Sequence, residues 1–172
     1  MCKFKQLGAI NLSTLHYMPD VIRCFRKYYK YIQDDFSPPY SYNTYSLILE
    51  KSPYFWVITD YNDKFKGFVY LDNFTGNEKC LYSAELTTCY DRRAWGIFTR
   101  YSAKFFLKKC FDELGLYKIK AQIYPENHRV RTLLKNSGFE YEATLKNETL
   151  RLGKPQDIEV YSLYRDYYYK TR

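Results

Sequence analysis

The chain has 172 residues, of which 46% are hydrophobic and 27% charged. That balance excludes a disordered polymer and suits one domain, residues 1–172, able to bury most of the apolar surface its unfolded form exposes. The net charge of +8 favours anionic partners: phosphorylated cofactors, RNA or an acidic membrane surface. No apolar run approaches the roughly 18 residues that span a bilayer, and the first eleven residues break their apolar stretch too early for a secretory leader. A cytoplasmic address with no membrane partner is expected. The five cysteines (Cys2, Cys24, Cys80, Cys89, Cys110) are odd in number and lack a C-x-x-C pair, which fits reduced thiols. With only His16 and His128 present, no metal site is expected.

Taken in order, Phe4 to Leu12 reads as a first strand. Pro19 suits the opening turn of a helix whose apolar face is Val21, Ile22, Phe25, Tyr29 and Ile32. Ser37-Pro-Pro-Tyr40 ends it. Ser41 or Asn43 would cap a second short helix, closed before Pro53. Two apolar runs, Tyr54 to Thr59 and Phe65 to Leu71, flank a hairpin turn at Asp60 to Lys64. Another turn is expected over Asn73 to Lys79.

Leu81 to Tyr90 is rich in β-branched and aromatic residues and reads as a strand. Asp91 to Gly96 is polar and basic. From Ile97 the period changes, with Leu107, Cys110, Phe111 and Leu114 at i, i+3, i+4 and i+7 on one helix face. Strand, basic turn and helix together present free backbone N–H groups and the positive end of a helix dipole, a natural seat for phosphate. Gly115 supplies a stop. Tyr117 to Tyr124 alternates as a strand, and Pro125-Glu-Asn127 opens a helix burying Val130, Leu133 and Leu134. After Gly138 come a strand over Phe139 to Leu145, a loop carrying Gly153-Lys-Pro155, and a last strand from Asp157 to Tyr164. The fold class is α+β: a mixed, mostly antiparallel sheet of about seven strands flanked by helices, in the order β-α-α-β-β-β-α-β-α-β-β. Twenty-one tyrosines include Tyr28-Tyr29-Lys30-Tyr31 and Tyr167-Tyr168-Tyr169. These runs suit base stacking on single-stranded nucleic acid or rings packed with their hydroxyls in water.

Several stretches share order and spacing with one family: Phe111-Asp-Glu-Leu-Gly-Leu116, Pro125-Glu-Asn127, Lys135-Asn-Ser-Gly-Phe139, Tyr141-Glu-Ala-Thr-Leu145, Gly153 and Asp157-Ile-Glu-Val-Tyr-Ser-Leu-Tyr-Arg-Asp166. From about Phe55 to Asp166 the chain resembles the GNAT superfamily of N-acetyltransferases, in particular the ribosomal-protein, RimJ/RimL-like branch. The resemblance implies transfer of an acetyl group from acetyl-CoA to an amine, without a metal. The family's turn reads [RQ]-x-x-G-x-[GA]. Arg93-Ala-Trp-Gly96-Ile-Phe98 keeps the arginine and glycine but places Phe98 where a tiny residue is usual; an alternative alignment shortens the turn by about two residues. Val130 and Leu134 stand where relatives often have a serine and a tyrosine acid.

By the same resemblance, the backbone of Leu86, Thr87 and Thr88 holds the pantetheine arm and thioester oxygen, and Glu85 is the catalytic base. The plain alternative for Glu85 is a solvated or salt-bridged strand glutamate. Arg92, Arg93 and Arg100 are expected to contact the phosphates, with the N–H groups from Arg93 through Ala94, Trp95, Gly96 and Ile97 to Phe98; Thr99 completes the stretch. Trp95 would stack on adenine or merely cover the turn. Asn127 would bond the pantetheine arm, cap its helix, or both. An α-amine titrates near ~8 and a lysine near ~10.4, so deprotonating lysine costs roughly 3 kcal/mol more; a protein or peptide N-terminal amine is the better-matched acceptor. A second reading is a catalytically impaired binding module that docks RNA, the ribosome or an acidic partner through its basic surface.

Overall fold

The computed structural model describes residues 2–8, 12–37, 40–77 and 79–170. Its strands are β1 (Cys2–Gln6), β2 (Phe55–Asp60), β3 (Phe65–Asn77), β4 (Cys80–Tyr90), β5 (Lys118–Ile123), β6 (Glu140–Arg151) and β7 (Lys154–Tyr164). The helices are α1 (Met18–Tyr28), α2 (Tyr40–Lys51), α3 (Ile97–Asp112), α4 (His128–Asn136) and α5 (Arg165–Lys170). All seven strands form one sheet in the order β1-β2-β3-β4-β5-β7-β6. Every pairing is antiparallel except β4 with β5. Those two are joined through α3, the kind of crossover a parallel pair requires.

Both faces of the sheet are covered. On one face α3, α4 and α5 bring Phe106, Leu107, Phe111, Leu134 and Tyr168 onto Trp56, Ile58, Val69, Ala84 and Ile119. On the other, α1 and α2 bring Val21, Phe25, Leu47 and Ile48 onto Phe55, Val57, Phe68 and Tyr70. A strand buried on both sides reads as an unbroken apolar run rather than an alternation, which is why Phe55 to Ile58 has no polar residue.

The sequence-based expectations fail at particular places. The first strand stops at Gln6 rather than Leu12, and Leu12–Tyr17 is a 3-10 segment. α1 ends at Tyr28, so Tyr29 and Ile32 lie beyond it. The second helix starts at Tyr40, which puts Ser41 and Asn43 inside it rather than at its cap. The turn expected from Asn73 is a bulge: the register slips between Asp72 and Thr75, Asn73 takes φ 46°, and β3 runs on to Asn77. A bulge bends a strand without ending it. The loop expected before Asp157 is a tight hairpin in which Arg151 pairs with Lys154 across Leu152 and Gly153, both at positive φ (54° and 71°). Nothing in a leucine announces that conformation. The tyrosine run at the end forms α5: Tyr168 is buried with its ring 5.1 Å from that of Phe111, and Tyr169 donates to Asp112.

The segment after α1 is tied to that hairpin. Asp35 accepts from the amides of Leu152 and Gly153 at 2.9 and 2.7 Å and donates its own N–H to the Leu150 carbonyl at 2.9 Å. Asp34 accepts from the Thr149 hydroxyl at 2.6 Å. Burial raises the Asp34 pKa, but the hydrogen bonds from Thr149, Ser37 and the Phe36 and Ser37 amides outweigh it and hold the carboxyl below the ordinary aspartate value. A carboxylate depressed in this way stabilises the fold above its unfolded pKa, and that contribution fades as pH falls through the folded value. Asp34→Asn should therefore destabilise at neutral pH by about 1 kcal/mol, and the difference from wild type should close in strongly acid solution. Urea denaturation at a series of pH values checks this.

Candidate active site

The parallel pairing of β4 and β5 spans three residue pairs, Ser83 with Lys118, Ala84 with Ile119 and Glu85 with Lys120. Beyond them β4 continues to Tyr90 beside β3, and β5 continues to Ile123 beside β7, but the two are no longer paired with each other. A wedge opens between them. Main-chain groups alternate along a strand, and the bonds on either side fix which residues face the wedge. Tyr82 O accepts from Tyr117 of the β5 side, and Tyr90 O accepts from the Trp95 indole, whereas the Asp91 amide goes to Lys66 on the β3 side. By that alternation Thr88 directs its amide and carbonyl and Leu86 its carbonyl into the wedge, while the Leu86 amide belongs to the last rung of the pairing, Glu85 with Lys120, and Thr87 directs its main-chain groups toward β3. The expected trio thus narrows to Leu86 and Thr88, with the Thr87 side chain beside the buried Tyr70 phenol. The side chains of Leu86, Thr88 and Tyr90 line a small apolar cavity of about 30 Å³ with Phe106 of α3 and Val130 and Leu133 of α4.

At the C-terminal end of β4 the basic turn folds on itself. The Asp91 carboxylate accepts from the Arg93 amide at 3.0 Å, the Ala94 amide donates to Asp91 O at 2.8 Å, and the Trp95 amide donates to Arg92 O at 3.2 Å. Those three amides are committed, which corrects the expectation that the row begins at Arg93. The amides of Gly96, Ile97, Phe98 and Thr99 make no such bond; they are the open first turn of α3, whose first backbone bond runs from Arg100 N to Gly96 O. Gly96 adopts φ 100° and ψ −125° at the helix cap, a conformation an L side chain tolerates badly. Phe98 is half-buried, its ring packed against the core with the Lys66 ammonium 5.8 Å from its centre. The Thr99 hydroxyl donates to Ala94 O at 2.7 Å and fastens helix to turn.

Arg92 and Arg93 border a groove of about 470 Å³ with Arg23 and Lys27 of α1 and Asp91, while Arg100 is exposed on α3. Trp95 is engaged within the protein: its ring lies between Tyr28 of α1, 5.9 Å between centroids, and the guanidinium of Arg129 of α4, 4.2 Å away. No motif marked that arginine. Asn127 caps α4, its side chain accepting from the Val130 amide at 3.4 Å.

Glu85 sits where the wedge begins. Its Oε2 accepts from Asn73 of β3 and Gln122 of β5, each at 3.1 Å. Burial pushes the carboxyl pKa above the ordinary glutamate value; the Asn73 bond opposes this, the charge of Asp72 adds to it, and Lys120 and Lys51 oppose it. Asp72, Asn73 and Gln122 were not legible as site residues, because their proximity to Glu85 comes from strand register and not from any local pattern. The arrangement offers an anion seat at the start of α3, an unpaired strip of backbone leading from it, an apolar bed beneath that strip, and a partly desolvated carboxylate at its end. These parts fit a long thioester with a phosphorylated head.

A family model described as an acetyltransferase (GNAT) domain matches residues 14–140. The chain belongs to the GNAT acetyltransferase family. It is an acyltransferase that takes its acetyl group from acetyl-CoA and delivers it to an amine. In fold it is similar to the Vibrio cholerae spermidine N-acetyltransferase solved with CoA and spermine, with TM-score 0.76, 20% identity and 98% of each chain covered. It is also similar to Mycobacterium smegmatis RimJ solved with CoA-disulfide, with TM-score 0.75, 18% identity, 96% of this chain and 82% of that one covered. The RimJ/RimL-like branch is not singled out, since spermidine acetyltransferases match equally. No curated protein matches the chain by sequence. Among the described residues no helix is long and apolar enough to cross a membrane.

The glycine at the cap offers a direct check. Gly96→Val should cost about 1–3 kcal/mol of stability through backbone strain and weaken coenzyme binding roughly tenfold or more by disordering the amide row. Gly115→Val, also at positive φ (68°) but at the other end of α3, should cost comparable stability and leave CoA affinity unchanged in titration calorimetry.

Proposed function

We propose that this acetyltransferase acts on the N-terminal amine of a protein or peptide, with Glu85 as general base and the main chain of Leu86 and Thr88 holding the donor. The observation that carries the reading is Glu85 at the parting of β4 and β5, partly desolvated, one residue before the first unpaired backbone group. Acetyl-CoA supplies an electrophilic thioester carbonyl. Gly96 to Phe98 and the neighbouring cations bind its phosphates. The Thr88 amide stabilises negative charge as it develops on the thioester carbonyl oxygen, and the Leu86 carbonyl accepts from the pantetheine arm. Glu85 accepts the proton that the attacking amine must lose, and Asn73 and Gln122 hold the carboxylate in one orientation.

Leu134 is buried and Val130 lines the cavity, so neither position supplies an acid. None is required for a fast departure, since a thiol of pKa near ~8.5 leaves readily as its anion around neutral pH. A carboxylate base of moderately raised proton affinity is better matched to an α-amine near ~8 than to a lysine near ~10.4.

Acceptor choice is read by CoA release with three substrates: a peptide with a free N-terminus, the same peptide N-blocked with an internal lysine, and spermidine. The free N-terminus should give the highest kcat/KM; spermidine exceeding it would replace the peptide reading with a polyamine one. Glu85→Gln should lower kcat about 10²–10⁴-fold with CoA affinity unchanged. A carboxyl whose folded pKa is raised stabilises only below its unfolded pKa, and the contribution is lost as pH rises through the folded value. Glu85→Gln should therefore be at least as stable as wild type at pH 7, which separates loss of chemistry from loss of fold.

A further inference from the structure

Asp72 lies directly across from Glu85 in the β3–β4 register, a spacing at which two like charges oppose each other. The bulge that follows Asp72 gives this pairing a particular form. In a regular strand Asp72 and Asn73 would point to opposite faces. The register slip after Asp72 and the positive φ of Asn73 (46°) instead let the Asn73 amide reach Glu85 while the Asp72 carboxylate stays beside it. Asp72 is held by Lys51 at the end of α2, with Nζ 3.1 Å from Oδ2, and both side chains are more than four-fifths buried. The other oxygen, Oδ1, is buried and has no hydrogen-bond partner. An unsatisfied buried carboxylate oxygen is an expensive feature. Among the described residues Lys51 makes one other ion pair, the exposed bridge to Glu50, and Asp72 makes none.

We infer that Asp72 is a positioning residue that keeps Glu85 basic, and that Lys51 is the cation limiting how far this goes. The inference rests on Glu85 being the base. The groups that face Glu85 come from three elements: Lys51 from α2; Tyr70, Asp72 and Asn73 from β3; Lys120 and Gln122 from β5. Tyr70 is kept a neutral phenol by burial, with the Thr87 hydroxyl and the charges of Asp72 and Glu85 around it. Asp72 is therefore the one anion in that set, and Lys51 and Lys120 are its opponents. Removing the anion favours ionised Glu85 and weakens it as a base. Removing Lys51 does the reverse. The two changes pull the same carboxyl in opposite directions, whereas any merely structural role for the ion pair would damage the site in the same sense from either side.

Carboxyl-detected NMR of the full chain labelled at glutamate reports this without reference to turnover, with the Glu85 signal identified by its absence in Glu85→Gln. In Asp72→Asn the Glu85 titration should move down by roughly half a pH unit or more, and in Lys51→Met up by a similar amount. Lys51→Arg, which keeps the charge, should titrate near wild type and serves if Lys51→Met folds poorly. The acid limb of kcat/KM for an N-terminal peptide should follow the same shifts. An unmoved Glu85 signal in Asp72→Asn, or a shift of the same sign in Asp72→Asn and Lys51→Met, overturns the inference. If the signals move as expected but Glu85→Gln keeps wild-type kcat, the electrostatic coupling stands and the assignment of Glu85 as base is what fails.

Discussion

The site depends on a single constraint of strand pairing. β4 and β5 are parallel neighbours for three residue pairs and then separate, each kept straight by its antiparallel partner on the far side. In a closed sheet the Leu86 carbonyl and both main-chain groups of Thr88 would be consumed by the ladder. Because the strands part, those groups remain in the interior of the fold, unpaired and in line. Backbone polar groups left without partners inside a protein are rare, and in the proposed reading they hold the donor. The crossover through α3 puts the start of a helix at the open end of the same wedge, so the anion seat and the backbone strip come from one chain segment.

The basic turn shows how such a segment can depart from its family's pattern without losing the geometry. A small residue at position 98 would give a phosphate free approach. Phe98 is half-buried, packed against the edge of the core with the Lys66 ammonium 5.8 Å from its ring centre, while Gly96 supplies the positive φ that starts the helix. The Asp91 cap and the Thr99 bond to Ala94 O then hold the turn so that four amides stay open. Trp95, clasped between Tyr28 and Arg129, links the helices on the two faces of the sheet at the mouth of the wedge.

The acceptor side is assembled from residues far apart in the chain. Glu85 is surrounded by groups from α2, β3 and β5, and the bulge at Asn73 is what brings two consecutive β3 residues to it. The segment around Asp34 and Asp35 is bound to the β6–β7 hairpin, so two regions more than a hundred residues apart in the chain are joined by hydrogen bonds.

The order of elements, the strand-turn-helix at residues 81–112 and the identity of Glu85, Gly96 and Asn127 as candidates were legible in the sequence. Periodicity and glycine placement are local properties and mark the elements and Gly96, whereas Glu85 and Asn127 became candidates only through the family resemblance. The bulge at Asn73, the tight turn at Leu152 and the helix formed by the last tyrosines were not, because each is imposed by packing against a distant partner. Nor could the sequence say which of Leu86, Thr87 and Thr88 face the wedge, or that Asp72, Lys51, Asn73 and Gln122 surround Glu85. Those facts follow from register, and register is decided only when the whole sheet closes.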